Sequence, residues 1–419
     1  MTTTLTPSPP GLHRIADFRR LWIGDTVSQA GTAVTVLALP LVAIGPLGAS
    51  PFQAGLLVMC EYLGFLLVGL PAGAWVDRMR RRRVMIVNDL VRALLLATLP
   101  VAAWLGVLGL PQLYAVAFGL SVSTAFFDIA YQSLLPRLVD EERLMAANAA
   151  LESTRTITAA GGPGLGGALI AAVTAPVAIV VNAATYLGSA LLLGRISRPD
   201  PRPEARPAQA RLRDEIGEGL RFVFRTPVLR GLTLTAAISN LCGTVGASML
   251  LVLLAGELRL SPFLCGLVFM AEAIGGLLGS LLTARVSERF GELRAMGASV
   301  VLSGVLWLAA LPFFQADWRF AVAVALQGLG WTAFMPFKIG SVALRQRICP
   351  PALLGRVTAT VRFVVWGCMP LGALAGGLIG EHLGVRAALW TGATGELLAV
   401  VPLALTVSAL RVRSTGRSA

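Results

Sequence analysis

The chain has 419 residues, of which 56% are apolar and only 14% are charged, and its net charge is +13. A water-soluble globular protein has about 25% charged residues, so the composition excludes an ordinary soluble domain. Excess positive charge can indicate nucleic-acid binding. Here the arginines form clusters between long apolar segments, so a lipid bilayer is the expected surrounding and no nucleic-acid partner is expected.

Twelve apolar segments follow one another along the chain. Each is long enough to cross about 30 Å of hydrocarbon as a helix, whereas a membrane barrel would show alternating strands of about 10 residues. The segments cover residues 18–45, 52–77, 84–107, 112–134, 147–172, 176–196, 228–256, 262–287, 293–314, 319–341, 355–380 and 386–410. The predicted fold class is an all-α membrane protein with twelve transmembrane helices.

The connecting segments alternate between basic ones and ones with little or no charge. The opening "MTTTLTPSPPGLHRIADFRR" lacks the order of regions found in a secretory signal, so the first segment is expected to remain as a span. The loop "RMRRRR" (Arg78–Arg83) is strongly basic, whereas "GPLGASPFQ", "GVLGLPQ" and "VTAP" carry no charge. By the positive-inside rule, both termini are expected in the cytoplasm, with the protein in the cell membrane.

The sequence contains an internal repeat. "SPFQAGLLVMCEYLGFLLVGLPAGAWVDR" (50–78) recurs as "SPFLCGLVFMAEAIGGLLGSLLTARVSER" (261–289), without a gap and at an offset of 211 residues. A second match, at an offset of 207 residues, aligns Arg155 with Arg362 and Pro163 with Pro370. Six spans are therefore followed by six related spans in the same orientation, which predicts two pseudo-symmetric six-helix bundles.

The polar segment between the sixth and seventh spans separates these halves. We expect one bundle over residues 1–197, a cytoplasmic linker over 198–227 and a second bundle over 228–419. The first part of the linker is rich in Pro and Arg, which favours an extended chain. Its second part has apolar residues at helical spacing from Leu212 to Val223. That pattern predicts a short interfacial helix, and a solvated linker is the alternative.

Two motifs resemble those of the major facilitator superfamily. "GAWVDRMRRRR" resembles the signature G-x-x-x-D-R/K-x-G-R/K-R/K, although Arg80 replaces its second glycine. The matching residues are Gly73, Asp77, Arg78, Arg81 and Arg82. In the family this loop acts as a cytoplasmic gate latch, and the resemblance implies the same role here. The alternative is that these arginines serve only as a topology signal.

The fifth span contains "TAAGGPGLGG", which resembles the antiporter motif G-x-x-x-G-P-x-x-G-G with Thr158 in place of the first glycine. The matching residues are Gly162, Pro163, Gly166 and Gly167. By resemblance this motif favours export. The alternative is ordinary close packing of helices through small residues.

"ANAALESTRTITAAGGPGLGGALIAA" and "EIGEGLRFVFRTPVLRGL" resemble the macrolide-efflux and enterobactin-exporter branch of that superfamily. The resemblance implies a secondary transporter that exports a small amphipathic molecule with alternating access. An ion gradient is the expected energy source, and the carboxylates within the spans favour proton antiport. The protein is expected to act as a monomer. A drug, a macrolide-like or a siderophore-like molecule is the expected substrate. An importer or uniporter for a nutrient or lipid is the alternative. No Walker or HExxH sequence occurs, so neither an enzyme nor a cofactor is expected.

Charged residues within the spans are the candidate site. Each costs about 2.5 to 3.5 kcal/mol on insertion scales, so function is the default interpretation. The proton- or substrate-binding candidates are Asp25, Glu61, Arg155, Glu272 and Arg362. Glu61 lies near the middle of its span and is the leading candidate for proton coupling, and the repeat places Glu272 at the same depth. A fixed interhelical hydrogen bond is the rival role for Glu61.

Other charged residues also lie within the spans. Glu396 reaches a depth similar to that of Glu61, whereas Asp89 and Arg92 are interpreted as a structural pair behind the basic loop. Lys338 lies near the cytoplasmic end of its span and is interpreted as a gating or snorkelling residue.

Overall fold

The computed structural model describes residues 12–76, 78–200, 212–350 and 353–415. Within these ranges, twelve helical segments are long and apolar enough to cross a membrane, which confirms the predicted fold class. The first six are α1 (Ala16–Ile44), α2 (Pro51–Val76), α3 (Arg81–Trp104), α4 (Leu110–Leu138), α5 (Glu141–Val173) and α6 (Ala175–Gly194).

A shorter helix, α7 (Leu212–Arg225), precedes the second set of spans. That set consists of α8 (Pro227–Leu251) with a π-helical extension (Val252–Glu257), α9 (Pro262–Phe290), α10 (Glu292–Ala310), α11 (Arg319–Ile348), α12 (Leu354–Leu383), α13 (Val385–Leu398) and α14 (Val401–Thr415). Single 3-10 turns lie at Leu12–Arg14 and Leu311–Phe313.

The predicted spans differ from these helices mainly at their ends. Helices α4 and α11 continue to Leu138 and Ile348, beyond the apolar stretches, because a helix can extend past the hydrocarbon when its last turns are basic. The twelfth predicted span is divided into α13 and α14. The break falls just before Pro402, whose nitrogen has no hydrogen to donate to the carbonyl four residues earlier.

The spans form two bundles that meet along two helix pairs. Helices α1 to α6 pack on one another, α8 to α14 do the same, and the bundles touch chiefly where α2 meets α12 and α5 meets α9. The repeated segments contain α2 and α9. The duplication therefore places related sequences on both sides of the boundary between the bundles.

We call the end where α1 begins and α14 ends the termini end, and the other the opposite end. At the opposite end the two bundles are in close contact. A Cβ added to Gly55 of α2 would lie 2.7 Å from the Ala373 carbonyl oxygen and 2.7 Å from Gly377 Cα, both in α12. The Glu381 carboxylate also accepts a hydrogen bond of 3.1 Å from the Phe52 amide. The opposite end is thus closed by contacts between backbones.

Helix α7 packs against the second bundle. Val223 is fully buried, Glu218 forms an ion pair with Arg356 at the start of α12, and Gly219 lies against the Arg356 carbonyl. Residues 212–225 therefore form a helix that is docked on the second bundle.

Candidate functional site

A cleft between the bundles contains most of the predicted site. Its first chamber has a volume of about 980 Å³ and lies between α1 and α5 of one bundle and α9 and α11 of the other. The lining runs from Pro163 and Phe269 to Gln346, which is two residues from the end of α11. The chamber therefore extends towards the termini end, while the opposite end is closed.

A second chamber of about 620 Å³ lies on another side of α11. It is bounded by α8, α11 and α12, and Tyr62 reaches it from α2. Trp331, Lys338, Val342 and Gln346 line both chambers. The two chambers are therefore parts of one cleft that meet along α11.

Glu272 lines the first chamber directly. Its Oε1 accepts a hydrogen bond of 2.9 Å from Gln327 Nε2. Trp331 lines the same chamber, and the Lys338 ammonium lies 5.8 Å from the centroid of the Trp331 ring. This part of the cleft thus presents a carboxylate, an aromatic face and a cation to one space.

Glu61 is the counterpart of Glu272 in the first bundle. It makes no hydrogen bond or ion pair with any residue in the described part of the chain. The neighbouring Tyr62 lies within electrostatic range of both Glu61 and Glu272. Tyr62 of α2 is therefore close to Glu272 of the other bundle, and Glu61 has no fixed protein partner among the described residues.

Asp25 and Arg155 form an ion pair inside the first bundle. Asp25 is 2% exposed, and its Oδ2 lies 3.7 Å from Arg155 Nε. The Arg155 guanidinium also lies 4.9 Å from the centroid of the Tyr131 ring, and Arg155 lines the first chamber. Asp25 is therefore separated from the first chamber by its own partner.

Arg362 lines the second chamber together with Arg345 and Lys338. The structure thus brings Arg155 and Glu272 into one chamber and Arg362 into the other. Asp25 and Glu61 belong to the described lining of neither chamber.

Other intramembrane charges are held away from the cleft. Both carboxylate oxygens of Glu396 lie within hydrogen-bond distance of the Ser239 hydroxyl, at 2.8 and 2.7 Å, and Glu396 is fully buried. Asp89 and Arg92 form a buried ion pair of 2.5 Å, and the guanidinium lies 4.3 Å from the centroid of the Phe127 ring. These arrangements are those of fixed structural groups.

Sequence reasoning missed Gln327 and did not single out Arg345. A signal for Arg345 is present in the sequence, because Trp331, Lys338 and Arg345 recur every seven residues and so lie on one face of α11. Gln327 lies one helical turn before Trp331, where only the packing of α9 against α11 shows that it contacts Glu272.

The basic loop between α2 and α3 contacts the segment that follows α6. The backbone amide of Arg82 donates a hydrogen bond of 2.8 Å to Asp200 Oδ2. The guanidinium of Arg82 donates a hydrogen bond to the Ile196 carbonyl. Arg78 is exposed, Arg81 begins α3, and Gly73 lies in the last turns of α2. Asp77, the acid of the signature, lies outside the described residues.

The glycines of the fifth span provide close backbone contacts on two sides. A Cβ at Gly166 would lie 3.1 Å from Val34 Cα of α1, and Gly162 faces Ala33 of the same helix. Gly167 meets the Pro262 carbonyl of α9, and the Pro163 carbonyl meets Gly266. This segment therefore packs α5 both within its bundle and across the boundary.

Comparison with known proteins agrees with this architecture. The family described as transmembrane secretion effector matches residues 7–417. The multidrug efflux pump Tap of Mycolicibacterium fortuitum is 30% identical over 366 residues, which are 85% of this chain and 88% of that protein. Macrolide efflux protein A of Streptococcus pyogenes is 25% identical over 376 residues, which are 88% of this chain and 90% of that protein.

Among solved structures, an inward-facing bacterial homologue of the iron transporter ferroportin has a TM-score of 0.78 at 18% identity. The match covers 95% of this chain and 99% of that one. The likeness shows the fold, and the relatives confirm the predicted efflux-type resemblance. The chain belongs to the transmembrane secretion effector family of the major facilitator superfamily and is a membrane transporter, not an enzyme.

Proposed function

We propose that the protein exports a small amphipathic molecule from the cytoplasm in exchange for protons, by alternating access. The observation that carries this proposal is the cleft between the bundles, which is closed at the opposite end and combines Glu272 with the aromatic face of Trp331. Apolar walls with a few convergent polar groups are typical of small-molecule sites. Similarity to efflux pumps supports the outward direction.

The termini end is assigned to the cytoplasm in this proposal. The basic loop Arg78–Arg83 and the linker 198–227 connect spans at that end, whereas the loops at the opposite end carry little or no charge. Basic loops remain on the cytoplasmic side during insertion. The structure then represents a state that is open to the cytoplasm and closed to the outside.

Cysteine labelling tests this orientation. In a variant without the native cysteines, single cysteines at Gly48 or Gly109 should react with a membrane-impermeant maleimide added to intact cells. Cysteines at Ala205 or Ser418 should react only after the membrane is opened, because a charged reagent does not cross hydrocarbon. Labelling of Ala205→Cys in intact cells would reverse the assignment.

Transport would proceed by rocking of the two bundles, joined by the linker 198–227 between residues 1–197 and 228–419. The close contacts at the opposite end would separate while the termini end closes. Asp77 and the basic loop would then latch the closed termini end, as the superfamily motif implies. Arg82 contacts Ile196 and Asp200 and no residue of the second bundle in the described chain, which fits a state in which that latch is open.

Proton exchange would take place at the carboxylates near the cleft. Glu61 has no protein donor or base among the described residues, so either a proton or a cationic group of the substrate can compensate its charge. Glu272 has Gln327 as a donor, and Asp25 has Arg155. We therefore assign proton coupling to Glu61, with supporting roles for Glu272 and Asp25.

Uptake into inverted membrane vesicles tests the proposed function. With an acidic lumen, vesicles containing the protein should accumulate a substrate found by screening lipophilic cations, macrolides and siderophores. Collapse of the pH gradient by a protonophore should abolish accumulation. Uptake that does not depend on the pH gradient would indicate a uniporter. Accumulation only in right-side-out vesicles would indicate an importer.

A further inference from the structure

The second chamber is basic. Its charged lining residues are Lys338 and Arg345 of α11 and Arg362 of α12, and no Asp or Glu belongs to its described lining. The first chamber, in contrast, contains Glu152 and Glu272 as well as Arg155 and Lys338. The cleft is thus divided into a part of mixed charge and a part in which every charge is positive.

Arg345 and Arg362 have no acidic partner within hydrogen-bond distance in the described chain. The Nε atom of Arg345 is buried and has no hydrogen-bond acceptor, and the two guanidinium groups lie within electrostatic range of each other. Asp128 of α4 is within electrostatic range of Arg362, but it forms no ion pair with it. Two like charges that face one space repel, and an anion between them would relieve the repulsion.

Neighbouring arginines at the same end of the protein behave differently. Arg347 is paired with Glu292, and Arg356 is paired with Glu218. A topology signal requires only that arginines lie near this end of the protein. Arg347 and Arg356 meet that requirement although a glutamate compensates the charge of each. Arg362 lies eight residues into α12, about 12 Å from its start at 1.5 Å per residue, so it is deeper than a topology signal requires.

Aromatic side chains line the same chamber. The ring centroids of Trp331 and Phe334 of α11 are 6.0 Å apart. The ring centroids of Trp366 of α12 and Phe65 of α2 are 4.9 Å apart. Trp331, Phe334 and Trp366 all belong to the lining of the second chamber. A ligand with a flat apolar body and an anionic group would find a partner for each part in this space.

We propose that the second chamber binds the carboxylate of the transported molecule through Arg345 and Arg362, with the apolar body against Trp331 and Trp366. The preferred substrate is therefore a zwitterionic amphipathic molecule whose cationic part faces Glu272. This proposal rests on the proposed export function. Arginine suits the role because its planar group donates two parallel hydrogen bonds to a carboxylate.

Binding of a matched pair of dyes tests the proposal. Rhodamine 6G is a cationic ester, and rhodamine 19 is its free acid, which adds one carboxylate to the same aromatic cation. Fluorescence anisotropy with the purified full-length protein should give a Kd for the acid roughly tenfold lower than that for the ester, as expected for one charge-assisted interaction. In Arg345→Gln and in Arg362→Gln this ratio of Kd values should fall to about one.

Arg347→Gln is the matched control, because Arg347 also lies at the end of α11 but is paired with Glu292. The tenfold ratio should persist in this variant. Three results would each contradict the proposed carboxylate site in the second chamber. They are a wild-type ratio of Kd values near one, the absence of binding by both dyes, and a tenfold ratio that persists in both Arg345→Gln and Arg362→Gln.

Vesicle transport of the same dyes separates this proposal from the proposed function. Gradient-driven uptake of the ester together with a wild-type Kd ratio near one would contradict the carboxylate site in the second chamber but would support proton-coupled export. A tenfold ratio without gradient-driven uptake of either dye would overturn export and leave the chamber as a binding site for carboxylates.

Discussion

Replacement of Glu61 by glutamine is expected to reduce proton-driven export to the background of vesicles that lack the protein. Glutamine keeps the volume and the hydrogen-bonding capacity of the side chain but cannot exchange a proton. Since Glu61 has no fixed partner in the described chain, loss of its titration removes the coupling step and little packing. Substrate exchange in the absence of a gradient should survive.

The decisive measurement is proton release when substrate is added to detergent-solubilised protein between about pH 6 and pH 8. Wild-type protein should release protons on substrate binding, and Glu61→Gln should not. Glu272→Gln should have a milder effect, because Gln327 already provides a donor to that carboxylate.

Glu396→Gln is the matched control, since Glu396 is an intramembrane glutamate bound to Ser239 and away from the cleft. It should keep both proton release and coupled export. Proton release that is unchanged in Glu61→Gln would contradict the assignment, and Asp25 would then be the residue to test next.

Replacement of Gly266 by valine is expected to abolish transport for a different reason. A Cβ at this position would overlap the Pro163 carbonyl of α5, so α5 and α9 could not approach closely at the opposite end. Overpacking typically costs about 1 to 3 kcal/mol, which is roughly a fivefold to 150-fold change in a population ratio. The state that is closed at the opposite end should be depleted by that factor.

Accessibility of a cysteine at Ala273, in the lining of the first chamber, measures this shift. In a background without the native cysteines, labelling of Ala273→Cys from outside intact cells should accelerate when Gly266→Val is added. Gly55→Val should act in the same way, because Gly55 occupies the equivalent contact between α2 and α12.

Gly161→Val provides the control for added bulk, since a Cβ at Gly161 meets no atom within 4 Å. When Gly161→Val is added to Ala273→Cys, the labelling rate of that cysteine should not change. Transport by Gly161→Val should stay near that of the wild type. Equal labelling rates in Gly266→Val and Gly161→Val would show that the contact between α5 and α9 does not control access from the outside.

The sequence alone determined the number, order and approximate limits of the spans. Hydrocarbon thickness sets the length of an apolar helix, so local composition is sufficient for this purpose. The repeat also predicted two related bundles, and the family resemblance followed from the motifs at Gly73–Arg82 and in the fifth span. The break between α13 and α14 was missed, although Pro402 marks it in the sequence.

Only the tertiary structure decided what each intramembrane charge contacts. Counting residues gives the depth of a side chain but not its direction around the bundle, which depends on how distant helices pack. Glu61 and Glu396 therefore looked alike in the sequence. In the structure, Ser239 binds Glu396 inside one bundle, whereas Glu61 has no hydrogen bond or ion pair among the described residues and directly precedes Tyr62, which lines the second chamber. The electrostatic environment of a buried charge depends on atoms within a few ångströms, and packing brings those atoms from remote parts of the chain.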